Sequence, residues 1–192
     1  MLQSCHVPVA DTLVLAPEVG LARARAHEVC GPERTVFAAL VAARMTGPVL
    51  WLHPASAGER PTGSGRAGFV DPGRIVFGAP GHAREILWAA RQALQSGQVP
   101  LGVMELPEPP GLTPVRRLHL AAERGAAAAP LALLLTPDPG GAAGGESRWH
   151  IAPAPGWAKD GAARWQLTRA KARMAGEKSW PMRLEQSVPR LG

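Results

Sequence analysis

Apolar residues in the first two thirds of this chain fall into short runs that alternate with segments of helical periodicity. The runs that predict buried strands are Arg25 to Cys30, Pro48 to Leu52, Arg74 to Ala79, Val99 to Leu106 and Pro130 to Thr136. Helical spacing is found from an N-cap at Thr35 to Arg44, over residues 82–96 with Gly97 after them, and from an N-cap at Thr113 to Arg124. Strands that alternate with helices predict a parallel sheet with right-handed crossovers.

The last third alternates apolar and polar residues with a period of two. Residues 148–155, 163–172 and 179–186 therefore predict an antiparallel meander. We expect the last of these strands at a sheet edge, because Pro181 has no N–H to donate to a ladder. Residues 137–146, which precede the meander, are rich in glycine and predict a mobile loop.

Together these elements predict an α/β fold with a mainly parallel sheet flanked by helices and a C-terminal antiparallel extension. The length of 192 residues suits one domain. Its expected parts are an N-terminal extension over residues 1–24, an α/β core over 25–136, the loop over 137–146 and antiparallel strands over 147–188.

The composition is that of a globular protein, with 46% hydrophobic and 19% charged residues. The N-terminal residues lack the basic and long apolar regions of a secretory signal. The longest apolar run, near residues 126–135, is too short to span a bilayer. Cys5 and Cys30 are too few for a disulfide framework, and we expect Cys30 to be a buried, inert thiol. These features predict a cytoplasmic protein without a membrane association.

The formal net charge of +6 is concentrated in the C-terminal part of the chain. Residues 1–111 hold nine basic and nine acidic side chains, whereas residues 112–192 hold twelve basic and six acidic ones, together with four of the six tryptophans. This part could bind nucleic acid or an acidic partner, or it could be a solvated arginine-rich surface over a tryptophan core. The candidate binding residues are Arg116, Arg117, Arg148, Arg169, Lys171, Arg173 and Trp180. We expect Arg169, Lys171 and Arg173 to share one strand face.

A strand, a glycine-containing loop and a helix at residues 25–44 have the order of a phosphate-binding P-loop. The pattern G-x-x-x-x-G-K-[ST], started at Gly31, requires Gly, Lys and Ser or Thr where this chain has Val36, Phe37 and Ala38. Lysine would reach the phosphates and the hydroxyl would bind Mg²⁺, so both functions are missing. The vestigial loop comprises Gly31, Pro32, Glu33, Arg34 and Thr35, and it predicts a protein that holds no nucleotide cofactor.

Several segments of the chain resemble the RecA family, and more closely the RecA-like mutagenesis protein ImuA in its short alphaproteobacterial form. They include "HEVCGPERTVFA", "GPVLWLHPA" and, as the most specific part, "TPVRRLHLAAERG" followed by a short apolar strand. The resemblance covers roughly residues 20 to 188 and implies a RecA-like core. In the ATPases of this family an aspartate for magnesium ends the strand at 99–106, and Glu105 stands there as a vestigial Walker B residue.

The resemblance implies a role in damage-induced, error-prone replication across DNA lesions. It also implies binding to an ImuB-like, polymerase-related protein and work beside an error-prone replicative-type polymerase, with RecA and DNA as further candidate partners. A low similarity of ImuA to the cell-division inhibitor SulA leaves a second function open, and a weak residual ATPase is a third.

Other kinds of site find little support in the sequence. None of the six histidines has the spacing of a metal-ligand set, and His27-Glu28 lacks the second histidine of H-E-x-x-H. Ser64 lies in "GSG" and not in G-x-S-x-G. We therefore expect no catalytic residue and no metal site, and we expect a degenerate P-loop protein that is not an enzyme.

Overall fold

The computed structural model describes residues 11–57, 70–125, 128–154, 164–173, 175–185 and 188–191. The strands in chain order are β1 (Thr12–Ala16), β2 (Val19–Ala22), β3 (Ala26–Cys30), β4 (Val49–Leu52), β5 (Ile75–Gly78), β6 (Leu101–Glu105), β7 (Leu131–Leu135), β8 (Ser147–Pro153), β9 (Arg164–Ala172), β10 (Lys178–Glu185) and β11 (Val188–Leu191). The α-helices are α1 (Arg34–Ala43), α2 (Ala83–Ser96) and α3 (Leu112–Arg124), with short 3-10 turns at Ala55–Ala57 and Pro72–Arg74.

Nine of these strands form one mixed sheet in the order β11-β10-β9-β8-β3-β7-β6-β4-β5. The strands from β8 to β5 are parallel, and β9, β10 and β11 follow β8 as an antiparallel meander. The predicted α/β class, with a mainly parallel sheet and antiparallel C-terminal strands, is confirmed. The first core strand, β3, lies centrally because β7 and β8 both pair with it.

The sheet separates two apolar layers. On one face α1 and the β1–β2 hairpin pack on the sheet, and Phe37 stacks on Trp149 with ring centroids 5.9 Å apart. On the other face α2 and α3 cover it through Ile86, Leu94 and Leu118, all fully buried. Helices on both faces explain why the central parallel strands β6 and β7 are almost entirely apolar.

Two predicted helix starts are wrong. Helix α1 begins at Arg34 with Glu33 as its N-cap residue, and α3 begins at Leu112 after Gly111, so the threonines expected as caps lie inside the helices. Neither Glu33 nor Gly111 makes a side-chain capping hydrogen bond. Pro114 did not fix the start of α3, because a residue without an N–H is tolerated throughout the first turn.

The expected edge position of the "SWPMRLEQ" strand is also wrong. Strand β10 lies between β9 and β11, so β11 is the edge. Pro181 pairs with Gln166 of β9 but falls outside the four pairs, Met182 to Glu185, that join β10 to β11. Proline is tolerated at this position because no residue of β11 pairs with it.

The N-terminal extension contains a hairpin that the sequence analysis did not predict. Leu13, Leu15, Val19 and Leu21 alternate inward and join the core on the α1 face. Within the described ranges, none of the helices combines the length and apolar character needed to cross a membrane.

Candidate functional site

The turn after β3 is where a P-loop would lie, at the carboxyl ends of the parallel strands. It is only three residues long, because β3 ends at Cys30 and α1 begins at Arg34. Gly31 has φ +92°, and a Cβ atom there would lie 2.4 Å from the carbonyl oxygen of Ile151 in β8. Glycine is therefore required here by the close approach of β8, against which the turn packs.

The amide groups of this turn are bonded to the protein itself. The N–H of Glu33 donates to Ile151 O at 3.2 Å, and the N–H of Arg34 donates to Gly31 O at 3.3 Å. The N–H groups of Val36 and Phe37 both donate to Glu33 O, at 2.9 and 3.3 Å. A P-loop holds phosphate with inward amides at a helix N-terminus. Here the amides of Glu33, Arg34 and Val36 already have acceptors, and the Phe37 amide makes an ordinary i→i−4 bond of α1.

The side chains around the turn do not replace the missing P-loop residues. Arg34, a possible substitute cation, turns its Nη1 back to Gly31 O at 3.2 Å. Phe37 and Ala38 are buried in α1, at 1% and 0% exposure, so these positions face the core and not the turn. The residues present do not fit a nucleotide with its magnesium ion.

The remaining expected ATPase positions have structural partners. Glu105 at the end of β6 accepts a hydrogen bond from Trp51 Nε1 of β4 at 2.7 Å. In the ATPases that the sequence resembles, a catalytic carboxylate is expected shortly after the second core strand, where this chain has Ala55. Ala55 lies in a 3-10 turn and donates its N–H to Pro80 O at 3.0 Å. Glu59, the next acidic residue, is outside the described residues.

Glu28, a buried carboxylate of β3 on the α3 side of the sheet, binds the loop 137–146 and β8. It is 1% exposed, and its Oε1 accepts three hydrogen bonds, from Thr136 Oγ1 at 2.8 Å, Gly141 N–H at 2.7 Å and Ala142 N–H at 2.9 Å. Its Oε2 is ion-paired with Arg148 of β8. The loop 137–146, expected to be mobile, is thus held to the sheet by two of its amides.

The electrostatics of Glu28 follow from these contacts. Burial raises the pKa of this carboxyl, but the hydrogen bonds from Ala142, Arg148, Thr136 and Gly141 outweigh burial and hold the pKa below its ordinary value. The sequence analysis missed Glu28. A charged residue inside an apolar strand was the available signal, because such a residue needs partners when buried.

The other face of β3 carries a second buried polar network. His27, 1% exposed, donates from Nε2 to Ala22 O at 2.9 Å, and its Nδ1 accepts from the Ser147 hydroxyl at 2.7 Å. Ser147 Oγ in turn accepts from Trp149 Nε1 at 2.7 Å. Burial lowers the pKa of His27 to about 4, so the ring is neutral at physiological pH. These bonds fix the hairpin and β8 to β3.

The neighbouring thiol is buried as expected. Cys30 is fully buried at the end of β3. Burial, followed by the charges of Glu28 and Asp138, raises the pKa of the Cys30 thiol to about 11. A thiol with this pKa is protonated at neutral pH and is not a nucleophile.

The predicted basic stripe on β9 is divided between the two faces of the sheet, which corrects the sequence-based expectation. Arg148 pairs with Lys171 and Trp149 with Arg169, so one extra residue lies in β9 at this point. Such a bulge reverses the alternation of side chains. Arg169 contacts Glu18 O and the Trp180 ring on the hairpin face, whereas Lys171 and Arg173 line a cleft beside α3.

The cleft beside α3 brings together three of the predicted binding residues. Arg116, Lys171 and Arg173 line it with Arg25, around a volume of about 470 Å³. Its acidic members, Glu123 and Glu146, are both ion-paired with Arg25. Arg117 lies outside this cleft in a smaller groove between α2 and α3.

Two predicted binding residues have other roles in the structure. Arg148 is 24% exposed and is ion-paired with Glu28. Trp180 is 6% exposed and packs 6.2 Å from Trp149, with Arg169 and Lys178 at 5.2 and 5.4 Å from its ring centroid. As a correction, Trp180 belongs to the core and is not an accessible interface residue.

Within the described ranges, no group of three or more His, Cys, Asp or Glu side chains could hold a metal ion. No family model matches the chain, and no curated protein matches it at a significant level. Any functional conclusion therefore rests on the residues and on their geometry.

Proposed function

We propose that this protein is a RecA-like pseudo-ATPase that acts as a non-hydrolysing adaptor in damage-induced, error-prone DNA repair. It would bind an ImuB-like polymerase-related protein and work beside an error-prone replicative-type polymerase, with RecA and DNA as further candidate partners. The proposal joins the resemblance of the sequence to the geometry of the turn after β3.

The observation that carries the proposal is the closed turn at Gly31 to Glu33. A nucleotide-dependent member of this fold would need free amides and a cation at this point. Here Ile151, Gly31 and Glu33 accept the amides, and Arg34 bonds to the turn itself. The central position of β3 and the helices on both faces also fit the RecA-type core that the resemblance implies. The same turn argues against the alternative of a residual ATPase.

Nucleotide binding tests the pseudo-ATPase part of the proposal. We expect no ATP hydrolysis and a dissociation constant for ATP and Mg²⁺ no better than about 1 mM, since each lost charge-assisted contact costs about 1.5–3 kcal/mol. Isothermal titration calorimetry and a phosphate-release assay measure both quantities. Turnover by the unmodified chain that an Arg34→Ala substitution abolishes would contradict the proposal.

A depression formed by the start of β9 and the middle of β10 is the candidate surface for the polymerase-related partner. It has a volume of about 420 Å³, with Trp165 and Met182 in its wall and Gln166 and Pro181 beside them. Trp165 and Met182 are only 7% and 4% exposed and belong to the core, so a partner would contact the exposed rim of the depression at Pro181, Arg164 and Arg183. Arginine is among the residues enriched at interface hot spots.

Capture experiments test this partner surface. We expect Gln166→Arg, which places bulk and charge in the depression, to weaken capture of an ImuB-like protein from damaged cells by at least about tenfold. Gln98→Arg, at an exposed position after α2, is the matched control and should bind normally. Equal capture by both variants would place the partner surface elsewhere. Removal of residues 175–192 is unsuitable, because it would take Trp180 and Met182 from the core.

A further inference from the structure

The surface formed by α2, α3 and the end of β9 gathers six basic side chains that have no acidic partner among the described residues. Two depressions meet there at Leu120, which lines both and is 53% exposed. The first is the cleft of about 470 Å³ beside α3, and the second is a groove of about 110 Å³ between α2 and α3. We call the two together the α3 basic surface.

Three cations in each depression have no acidic partner among the residues that the structure describes. In the cleft, Arg25 is paired with both acidic residues, and no ion pair or side-chain hydrogen bond engages Arg116, Lys171 or Arg173 among the described residues. In the groove, the basic side chains are Arg91, Arg117 and Arg124, which are likewise unpaired within the part of the chain that the structure describes.

The shape of the α3 basic surface indicates a ligand with repeated negative charges. A single small anion would engage one depression and leave the cations of the other without a partner. A chain of phosphates can follow both depressions past Leu120. Five of the six unpaired cations are arginines, whose planar guanidinium groups bind phosphate bidentately and can also stack on bases.

An acidic protein is a poorer match for this surface. Protein interfaces draw most of their affinity from buried aromatic and apolar anchors. Among the described residues that line these depressions, the apolar side chains are Leu120 and the almost fully buried Ala121. Phosphate binding needs cations alone. The exposed Leu120 side chain between the depressions can contact unpaired bases, which a duplex keeps stacked inside.

We infer that the α3 basic surface binds the phosphate backbone of single-stranded nucleic acid, without reading its sequence. This inference deepens the proposed function, on which its biological meaning rests. Nucleic-acid binding by the purified chain tests the α3 basic surface separately from the adaptor function. If the chain does not bind nucleic acid, the adaptor function is still decided by the capture experiment. If capture fails, the α3 basic surface is still decided by the binding measurement.

The test is fluorescence anisotropy with a labelled mixed-sequence single strand of about 20 nucleotides, titrated at several salt concentrations. Each phosphate contact contributes about 0.7 to the slope of log K against log salt for single strands. Replacing Arg116 and Lys171 together by glutamine should reduce the magnitude of this slope by about 1.4 and weaken binding about 25-fold at 0.1 M salt. The matched control, Arg44→Gln with Arg84→Gln, removes the same charge at exposed positions outside both depressions and should change affinity by less than about twofold.

A gain-of-function variant makes the test independent of any loss of folding. Leu120→Lys adds a cation where the two depressions meet and should raise the salt slope by about 0.7 with tighter binding, whereas Leu120→Gln should not. The site is overturned by any of three results: no binding at about 50 mM salt, equal losses in the two glutamine pairs, or no gain from Leu120→Lys. Tighter binding of the matching duplex, or competition by polyglutamate as effective per charge as by the single strand, would overturn the choice of ligand.

Discussion

Replacing Glu28 by glutamine should destabilise the protein strongly without changing the size of the side chain. The glutamine oxygen could keep some of the bonds from Thr136, Gly141 and Ala142, but its NH₂ group would face the guanidinium of Arg148, donor against donor. Breaking a buried ion pair from one side costs about 3–5 kcal/mol, and the 24% exposure of Arg148 lets water recover part of this. We expect a loss of about 3 kcal/mol.

This loss corresponds to a fall in Tm of about 6–12 °C for a chain of this length. Urea unfolding followed by circular dichroism measures the free energy directly. Hydrogen exchange supplies a local readout, because the Gly141 and Ala142 amides donate to Glu28 and should lose protection before the rest of the sheet.

The matched control is Glu108→Gln, which removes an exposed carboxylate and should change stability by less than about 0.5 kcal/mol. Because the pKa of Glu28 is lowered in the folded state, its stabilisation is complete above its ordinary pKa of 4.5 and is lost as the pH falls through the folded value. Wild-type stability should therefore decline in acid more steeply than that of the glutamine variant. A variant as stable as the wild type, with both amides still protected, would refute the assignment of Glu28 as the anchor of the loop.

Two further predictions concern the remaining buried contacts of β3 and β8. Gly31→Ala should cost about 2–4 kcal/mol in urea unfolding, because its Cβ would meet Ile151 O at 2.4 Å at a φ of +92°, whereas Gly176→Ala, with open space around it, should be neutral. The pKa of His27 is about 4 in the folded chain against an ordinary value of 6.5, so the unfolded chain binds the proton first as the pH falls. The free energy of unfolding is therefore unaffected by protonation of this residue above pH 6.5 and falls by about 3 kcal/mol between pH 6.5 and about 4. In His27→Gln, the slope of stability against pH should flatten over this interval, and an unchanged slope would exclude His27 as its source.

The strands β3 to β10 and the three helices were predictable because each is marked by a local apolar period, whereas β1, β2 and β11 were missed. Ile86, Ala90 and Leu94 recur along one face of α2, and Gly97 ends it with a φ of +68°, as expected. The buried strand β7 is apolar at every position, as a parallel strand covered on both faces should be.

The parts that failed depend on distant residues. The partners of Glu28 lie more than 100 positions further along the chain, so no local pattern records them. The bulge opposite Arg148 and Trp149 leaves the spacing of Arg169, Lys171 and Arg173 in the sequence unchanged, yet it sends the first to the hairpin face and the others to the α3 face. Pairing with β8 determines this placement, and the composition of β9 does not.

The structure also changes how the missing P-loop residues should be understood. Aligned on the sequence pattern, Val36, Phe37 and Ala38 look like three substitutions that could be reversed. In the structure Phe37 stacks on Trp149 and is 1% exposed, so a lysine at this position would enter the core and cost more than about 4 kcal/mol. We therefore expect Val36→Gly, Phe37→Lys and Ala38→Thr together to unfold or loosen the domain without creating ATP binding, as circular dichroism and calorimetry would measure. A folded triple variant that binds ATP with micromolar affinity would contradict this argument, since the three-residue turn and its bond to Ile151 would still be in place. The poor fit of this turn to a nucleotide thus depends on the length of the turn and on its hydrogen bond to β8 as much as on the identity of three residues.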